Sequence, residues 1–95
     1  NLAESDFYWG IFFQTDFTRS TLRNASFEGA DLTEAILVDA DLRGCNFGPS
    51  RLDGGAQFSG ANLTGARWDG ANFYKATYDA RTIFPAGFNP GDHGI

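Results

Sequence analysis

Between Ala25 and Gly44 the chain reads ASFEGADLTEAILVDADLRG. Alanine recurs at 25, 30, 35 and 40, and two residues after each stands Phe27, Leu32, Leu37 or Leu42. A strand repeats its side-chain direction every two residues and a helix about every 3.6, so a strict period of five fits neither. It requires a backbone that turns a corner in each unit.

The frame extends over most of the 95 residues. With the large apolar residue as centre, it runs Leu2, Phe7, Phe12, Phe17, Leu22, Phe27, Leu32, Leu37, Leu42, Phe47 and Leu52, then Phe58, Leu63, Trp68, Phe73, Tyr78 and Ile83. The one irregular step lies between Leu52 and Phe58, where the spacing is six, and the expected one-residue insertion falls at Gly54-Gly55. Glycine permits the unusual backbone such an insertion needs. Two residues before each centre the side chain is small almost throughout, from Ser5 and Gly10 to Ala71 and Ala76; Arg81 alone breaks the rule.

Units such as Ala30-Asp31-Leu32-Thr33-Glu34 and Ala61-Asn62-Leu63-Thr64-Gly65 resemble the pentapeptide-repeat family, whose motif is a small residue, Asp or Asn, Leu or Phe, and two variable residues. The resemblance covers about residues 5 to 84. It implies an all-β fold, a right-handed quadrilateral β-helix with one repeat per side and about four coils. The stretch Thr82 to Pro90 is similar to the C-terminal ending common in cyanobacterial members. The chain thus divides into a β-helix over 1–84 and a capping tail over 85–95.

Elementary packing agrees with this expectation. A narrow square bore must alternate large and small inward side chains. In a type II corner turn the third residue needs φ > 0, and Gly29, Gly44, Gly60, Gly65 and Gly70 stand there. Glu4, Trp9, Gln14 and Arg19 occupy the same position earlier in the chain, so those corners are expected to use another turn type. Four sides per coil predict core ladders at steps of 20, or 21 across the insertion: Leu22, Leu42 and Leu63 with Leu2 and Ile83; Phe7, Phe27, Phe47 and Trp68; Phe12, Leu32, Leu52 and Phe73; Phe17, Leu37, Phe58 and Tyr78. Coil spacing near 4.8 Å gives a short rod roughly 20 Å long. Phe84 and Phe88 are the candidates to cap its C-terminal end.

Composition excludes several functions. The net charge of -5, with both signs interspersed, argues against a basic nucleic-acid surface. The longest apolar run, Phe7 to Phe13, is broken by Gly10 and is far short of the ~20 residues of a spanning helix. A single cysteine forms no internal disulfide and mildly favours a reducing compartment. A soluble protein is expected, in the cytoplasm by preference; the thylakoid lumen or periplasm stays open if a targeting segment has been removed.

The search for chemistry returns no catalytic set, metal site or cofactor motif. His93 sits in a Gly-rich tail without a neighbouring partner, and Cys45 occupies an inward small-residue position. Asp31, Asp39 and Asp41 fall where solvated residues of the repeat belong. The glycosylation-like triplets at Asn24 and Asn62 arise cheaply from the repeat. Arg19 with Asp39 and Asp31 with Arg51 are the expected cross-coil ion pairs.

The leading function is a non-catalytic protein-binding or scaffolding module acting through flat β-helix faces. The alternative, brought in by the resemblance, is a DNA-mimicking inhibitor or protector of DNA gyrase; the shortness of the chain and its surface arginines count against it. The candidate interface is Tyr8, Trp9, Ile11 and Phe13 on outward or corner positions of the first coil, continued by Ile36 and Val38 one coil above. It would serve a protein partner or self-association. The competing reading is that an N-terminal cap, or the irregular first coil itself, covers these residues.

Overall fold

Each five-residue unit makes one short side and one corner, and the corner bond recurs in the regular units. The amide three residues after a central apolar residue donates back to that residue's carbonyl: Gly10 N–H to Phe7 O at 2.9 Å, Ala25 N–H to Leu22 O at 3.0 Å, Ala40 N–H to Leu37 O at 3.1 Å. Four corners close a coil, and successive coils pair in parallel with one bridging residue per side, as in Asp6 with Ser26, Ile11 with Asp31, Asp16 with Ile36 and Thr21 with Asp41. The chain is a right-handed quadrilateral β-helix of about four coils. The computed structural model describes residues 2–49 and 54–93.

Corners without glycine obey the same geometry, contrary to the expectation of a second turn type. Glu4, Trp9, Gln14 and Arg19 all hold φ between 58° and 63°, and Asn24, Glu34, Asp39 and Lys75 lie between 57° and 59°. Such a conformation costs roughly 1–2 kcal/mol for a residue with a Cβ. The coil-to-coil ladder over-determines it, because the left-handed residue aims its amide at the next coil: Trp9 N–H reaches Glu28 O at 2.8 Å and Arg19 N–H reaches Val38 O at 2.8 Å. Non-glycine corners stack on one another at Glu4 and Asn24, Gln14 and Glu34, and Arg19 and Asp39, whereas two of the glycines also leave room for a neighbour's side chain. A Cβ on Gly44 or Gly65 would collide with the Oδ1 of Asn24 or Asp39 directly above.

The main departure from the expected register lies between the second and third coils. Early sides pair residues 20 apart, but Asp31 pairs with Gln57, Ile36 with Asn62, Asp41 with Arg67 and Asn46 with Asn72, all 26 apart. The excess is therefore six residues, not one. Ala56 N–H donates to Phe47 O at 2.9 Å, the bond that elsewhere spans three residues, while Gly48 and Gly55 keep their places in the coil, Gly48 O accepting Gly29 N–H at 3.2 Å and Gly55 N–H donating to Lys75 O at 3.1 Å. Leu52 and Arg51 lie outside the described residues. A second, one-residue excess appears later, where Asn62 pairs with Ile83. There Leu63 N–H donates to Ile83 O at 2.7 Å, which makes Phe84 the inward residue and leaves Ile83 about half exposed. Thr82 takes the small inward place, donating its hydroxyl to Phe58 O at 2.8 Å, and Arg81 moves outside.

The ladders are corrected accordingly. Phe47 stacks on Phe73 at 5.0 Å between ring centres, not on Trp68. Trp68 follows Leu22 and Leu42; Phe58 and Tyr78 follow Phe12 and Leu32; Leu63 and Phe84 follow Phe17 and Leu37. Phe7, Phe27, Phe47 and Phe73 form a continuous aromatic stack with centre distances of 5.0, 5.3 and 5.0 Å. The inward alanines Ala25, Ala30, Ala35, Ala40, Ala56 and Ala61 are fully buried, as are Leu22, Leu32, Leu37 and Leu42. Beyond the last side, Phe88 packs against Trp68, Phe73 and Phe84, and a 3-10 turn over Pro90–His93 follows. The molecule measures 31 × 29 × 24 Å, a block and not the rod expected.

Excising residues 49–54 removes the six-residue excess and leaves Phe47-Gly48-Gly55-Ala56-Gln57-Phe58, one regular unit. We expect this variant to keep the native far-ultraviolet dichroism spectrum and a thermal midpoint at or above the parent value, because a shorter closed loop costs less entropy. Loss of cooperative unfolding would contradict the register described here.

Candidate interface on the first coil

The residue before each centre shapes the surface chemistry. Its side-chain oxygen accepts the amide two residues on: Asp16 from Thr18 at 2.9 Å, Asp31 from Thr33 at 3.0 Å, Asn62 from Thr64 at 3.0 Å, Asn72 from Tyr74 at 2.9 Å. These Asx turns explain why the motif places Asp or Asn there: the side chain holds the start of the corner. A Thr at the second position adds its hydroxyl, as Thr18 does to Asp16 at 2.5 Å, and that bond with the Thr18 amide lowers the Asp16 carboxyl below its ordinary range.

The ion pairs differ from those expected. Arg19 and Asp39 are not paired, and Arg51 is not described. Asp41 instead lies between Arg43 at 2.8 Å and Arg23 of the preceding coil at 2.9 Å. Arg43, and after it Arg23, hold the Asp41 carboxyl well below the usual carboxylate range. A second column joins three coils: Gln14 Nε2 donates to Glu34 Oε1 at 2.8 Å, and Arg81 reaches past Gly60 to Glu34 at 3.3 Å and to Asp79 at 3.4 Å. Partners 47 residues apart in Glu34 and Arg81 become neighbours only when the six-residue excess is counted.

Cys45 is buried, its thiol donating to Leu22 O at 2.8 Å, and burial pushes it up to about 12, away from thiolate chemistry. Among the described residues no group of His, Cys, Asp and Glu side chains is placed to hold a metal ion. An open recess of about 310 Å³ near Ala3, Glu4, Thr21, Arg23 and Asn24 carries no reactive pair. No helix of the described residues is long and apolar enough to cross a membrane.

The surface feature that stands out is apolar. Tyr8, Trp9 and Phe13 are about half exposed and Ile11 is 79% exposed. Tyr8 and Trp9 share a corner, their ring centres 5.3 Å apart; Ile11 lies mid-side after them and Phe13 at the next corner. Ile36 projects from the following side on the second coil, while Val38 is half-buried and adds little. The structure thus brings together Tyr8, Trp9, Ile11 and Phe13 along one side of one coil. Sequence reading missed Leu2 at the same end and Tyr74 on the fourth coil, both exposed. The outward parity of Tyr74, one residue after a centre, would have marked it.

Comparison with known proteins agrees with the architecture. The description "Pentapeptide repeats" matches in eight copies over residues 11–48 and 54–77, breaking off where the coil pairing gains six residues. No curated protein sequence matches the chain. Among solved structures, alr5209, a pentapeptide repeat protein from Nostoc PCC 7120, is 29% identical with a TM-score of 0.51 and aligns over 98% of this chain and 76% of its own. Rfr23 from the cyanobacterium Cyanothece 51142 is 22% identical (TM-score 0.39; 86% of this chain, 62% of its own). HetL of Nostoc PCC 7120, a protein involved in heterocyst differentiation regulation, is 25% identical (TM-score 0.35; 87% of this chain, 50% of its own). The last two superpose too loosely to bear on this chain's role. With the repeat matched over well over half the chain, and its corners, bridges and inward alanines all in place, the chain belongs to the pentapeptide-repeat family.

Proposed function

We propose that the chain is a non-catalytic protein-binding or scaffolding module whose contact surface is the first-coil side carrying Tyr8, Trp9, Ile11 and Phe13. The observation that supports this reading is their exposure on a backbone that allows them little freedom. Trp9 sits at φ 58° with its amide bonded to the second coil, and the adjacent Tyr8 ring lies against it. Aromatic residues held rigid in the unbound state lose little entropy on binding and supply much of the energy at interfaces. A contiguous apolar strip of this kind is seldom left bare.

The gyrase-directed alternative finds less support. A DNA mimic needs rows of uncompensated carboxylates, yet Asp41 is shared by two arginines, and Glu34 and Asp79 share Arg81. In a DNA supercoiling assay we expect no change in gyrase activity.

The reading is tested with the immobilised chain and the Trp9→Ser/Phe13→Ser double variant, each challenged with an extract of the source organism. The double variant is expected to lose the bound protein while its thermal midpoint stays within a few degrees of the parent. Identical capture by both would remove the first coil from consideration, and collapse of the variant's fold would make these residues structural.

A further inference from the structure

Resting on the reading of the first-coil strip as a protein contact, we infer that its occupant is a short basic amphipathic segment of a partner protein. Its apolar residues lie on Trp9, Ile11 and Phe13, and its lysines or arginines on Asp6, Glu28 and Asp31. The apolar places face sideways, not along the axis of the coil. Ile36 holds the same place in its unit as Ile11, with a coil packed on either side of it, and is still 38% exposed. The outward places therefore meet solvent whatever stacks next to the first coil.

Charge around the strip selects the occupant. The whole net charge of -5 resides in residues 1–40, which hold seven acidic residues against two arginines, whereas residues 41–95 hold five acidic and five basic residues. Neither of those two arginines reaches the strip: Arg23 is bonded to Asp41, and Arg19 stands at the corner diagonally opposite Trp9. Three carboxylates do. Asp6 Oδ1 accepts the Tyr8 amide at 3.3 Å, which holds that carboxylate at the Tyr8 corner. Glu28 lies on the second coil beneath Tyr8 and accepts the hydroxyl of Ser26, the bridge partner of Asp6, at 3.2 Å. Asp31 is the bridge partner of Ile11 itself. None of the three has an ion-pair partner among the described residues. An apolar row on the first coil thus runs beside Glu28 and Asp31 on the second, about 4.8 Å away, with Asp6 at its head. A second copy of the chain would set these carboxylates against its own, and a lipid surface has no positive row to answer them. They are three around one side, unlike the long regular rows of a phosphate backbone, so they do not revive a DNA mimic.

The rings add to the same preference. On the fourth coil Tyr74 and Lys75 hold the corner places that Tyr8 and Trp9 hold on the first, and there the chain supplies its own cation, Lys75 Nζ lying 5.5 Å from the Tyr74 ring centre. On the first coil the second of these places is Trp9, so an exposed aromatic pair stands next to Asp6 with no cation of the described residues against it. A guanidinium or ammonium stacked there gains from the ring faces and from the carboxylate together. Trp9 and Phe13 are four residues apart, at most about 14 Å, so a segment of two to three helical turns covers the strip.

The test is fluorescence anisotropy of the purified chain with two labelled synthetic peptides of the same amphipathic order, one built of Leu and Lys and the other of Leu and Glu. We expect the Lys peptide to bind at least about tenfold more tightly, and to weaken about tenfold as salt is raised from about 0.05 to about 0.5 M. Glu28→Gln/Asp31→Asn should weaken it about fivefold. The melting curve should not change, because Asn62 makes with Thr64 the same turn that Asp31 makes with Thr33. Asp39→Asn/Asp69→Asn removes the same charge from other sides and should leave the affinity within about twofold. In the source extract the Lys peptide should displace the captured protein from the immobilised chain, and the Glu peptide should not. The inference is overturned if the two peptides bind alike, if the control substitutions weaken the Lys peptide as much as Glu28→Gln/Asp31→Asn does, or if Trp9→Ser/Phe13→Ser leaves its binding intact. A dimer in sedimentation velocity, or binding to phosphatidylcholine vesicles, that the Trp9→Ser/Phe13→Ser variant loses would assign the strip to a second copy or to lipid and overturn it as well. If that variant loses a captured protein that the Lys peptide fails to displace, the contact reading stands and only the basic occupant is wrong. If neither peptide binding nor capture is seen, both fall.

Discussion

Replacing Phe47 by Ala is expected to cost about 3–5 kcal/mol. Phe47 is fully buried, stacks between Phe27 at 5.3 Å and Phe73 at 5.0 Å, and meets Phe58 edge-on at 5.0 Å, so truncation opens a cavity bounded on three sides by aromatic rings. A domain of this size holds roughly 5–15 kcal/mol in total, so the variant should unfold at a much lower denaturant concentration, if it stays folded at room temperature at all. The milder Phe47→Leu keeps the measurement accessible. A double-mutant cycle then separates the two possible registers. Coupling of about 0.5–1.5 kcal/mol is expected between positions 47 and 73, and none between 47 and 68. The opposite pattern would restore a one-residue insertion.

The second large effect comes from the small inward positions. Ala61→Leu adds three carbons to a side chain that is fully buried, on a segment whose backbone is bonded in two directions: its amide donates to Phe58 O at 2.9 Å and its carbonyl accepts Ile83 N–H at 2.9 Å. Neither bond can lengthen without breaking a corner or a coil contact. The methyl groups must therefore displace Phe58 or Leu63, and the expected cost is about 1–3 kcal/mol or more. Ala35→Leu should behave alike, since Ala35 pairs through its carbonyl with Asn62 N–H at 3.0 Å. Thermal unfolding of both variants is the measurement; unchanged midpoints would show that these positions have room and are not the small half of the bore.

Exposed positions behave by different rules. Arg23, Arg43 and Asp41 are joined at good distances, yet the arginines are substantially exposed, so each pair is worth at most about 1 kcal/mol and the cluster sets register more than stability. The columns of Asx turns matter more to the fold. Each satisfies a corner amide locally and leaves the central residue free to bond the next coil.

The period of five by itself requires a corner in every unit and sets the inward pair and the outward parity of Tyr8, Ile11 and Phe13, while the four-sided right-handed coil comes from the family resemblance. The inward pair and the parity follow from side-chain alternation, a purely local property. The register across residues 48–55 does not. A six-residue excess and a one-residue excess are the same modulo five, so Ser50 and Leu52 read in the sequence as one more repeat. Only the pairing of Asp31 with Gln57 and Asn46 with Asn72, across more than twenty residues, separates the two. Ile83 and Phe84 pose the same ambiguity, since both are apolar and adjacent; the hydrogen bond from Leu63 to Ile83 decides it. Local preference likewise misjudged the corners at Glu4, Trp9, Gln14 and Arg19. Their left-handed strain is a cost each residue bears alone, while the coil-to-coil bonds that outweigh it exist only once the stack is assembled.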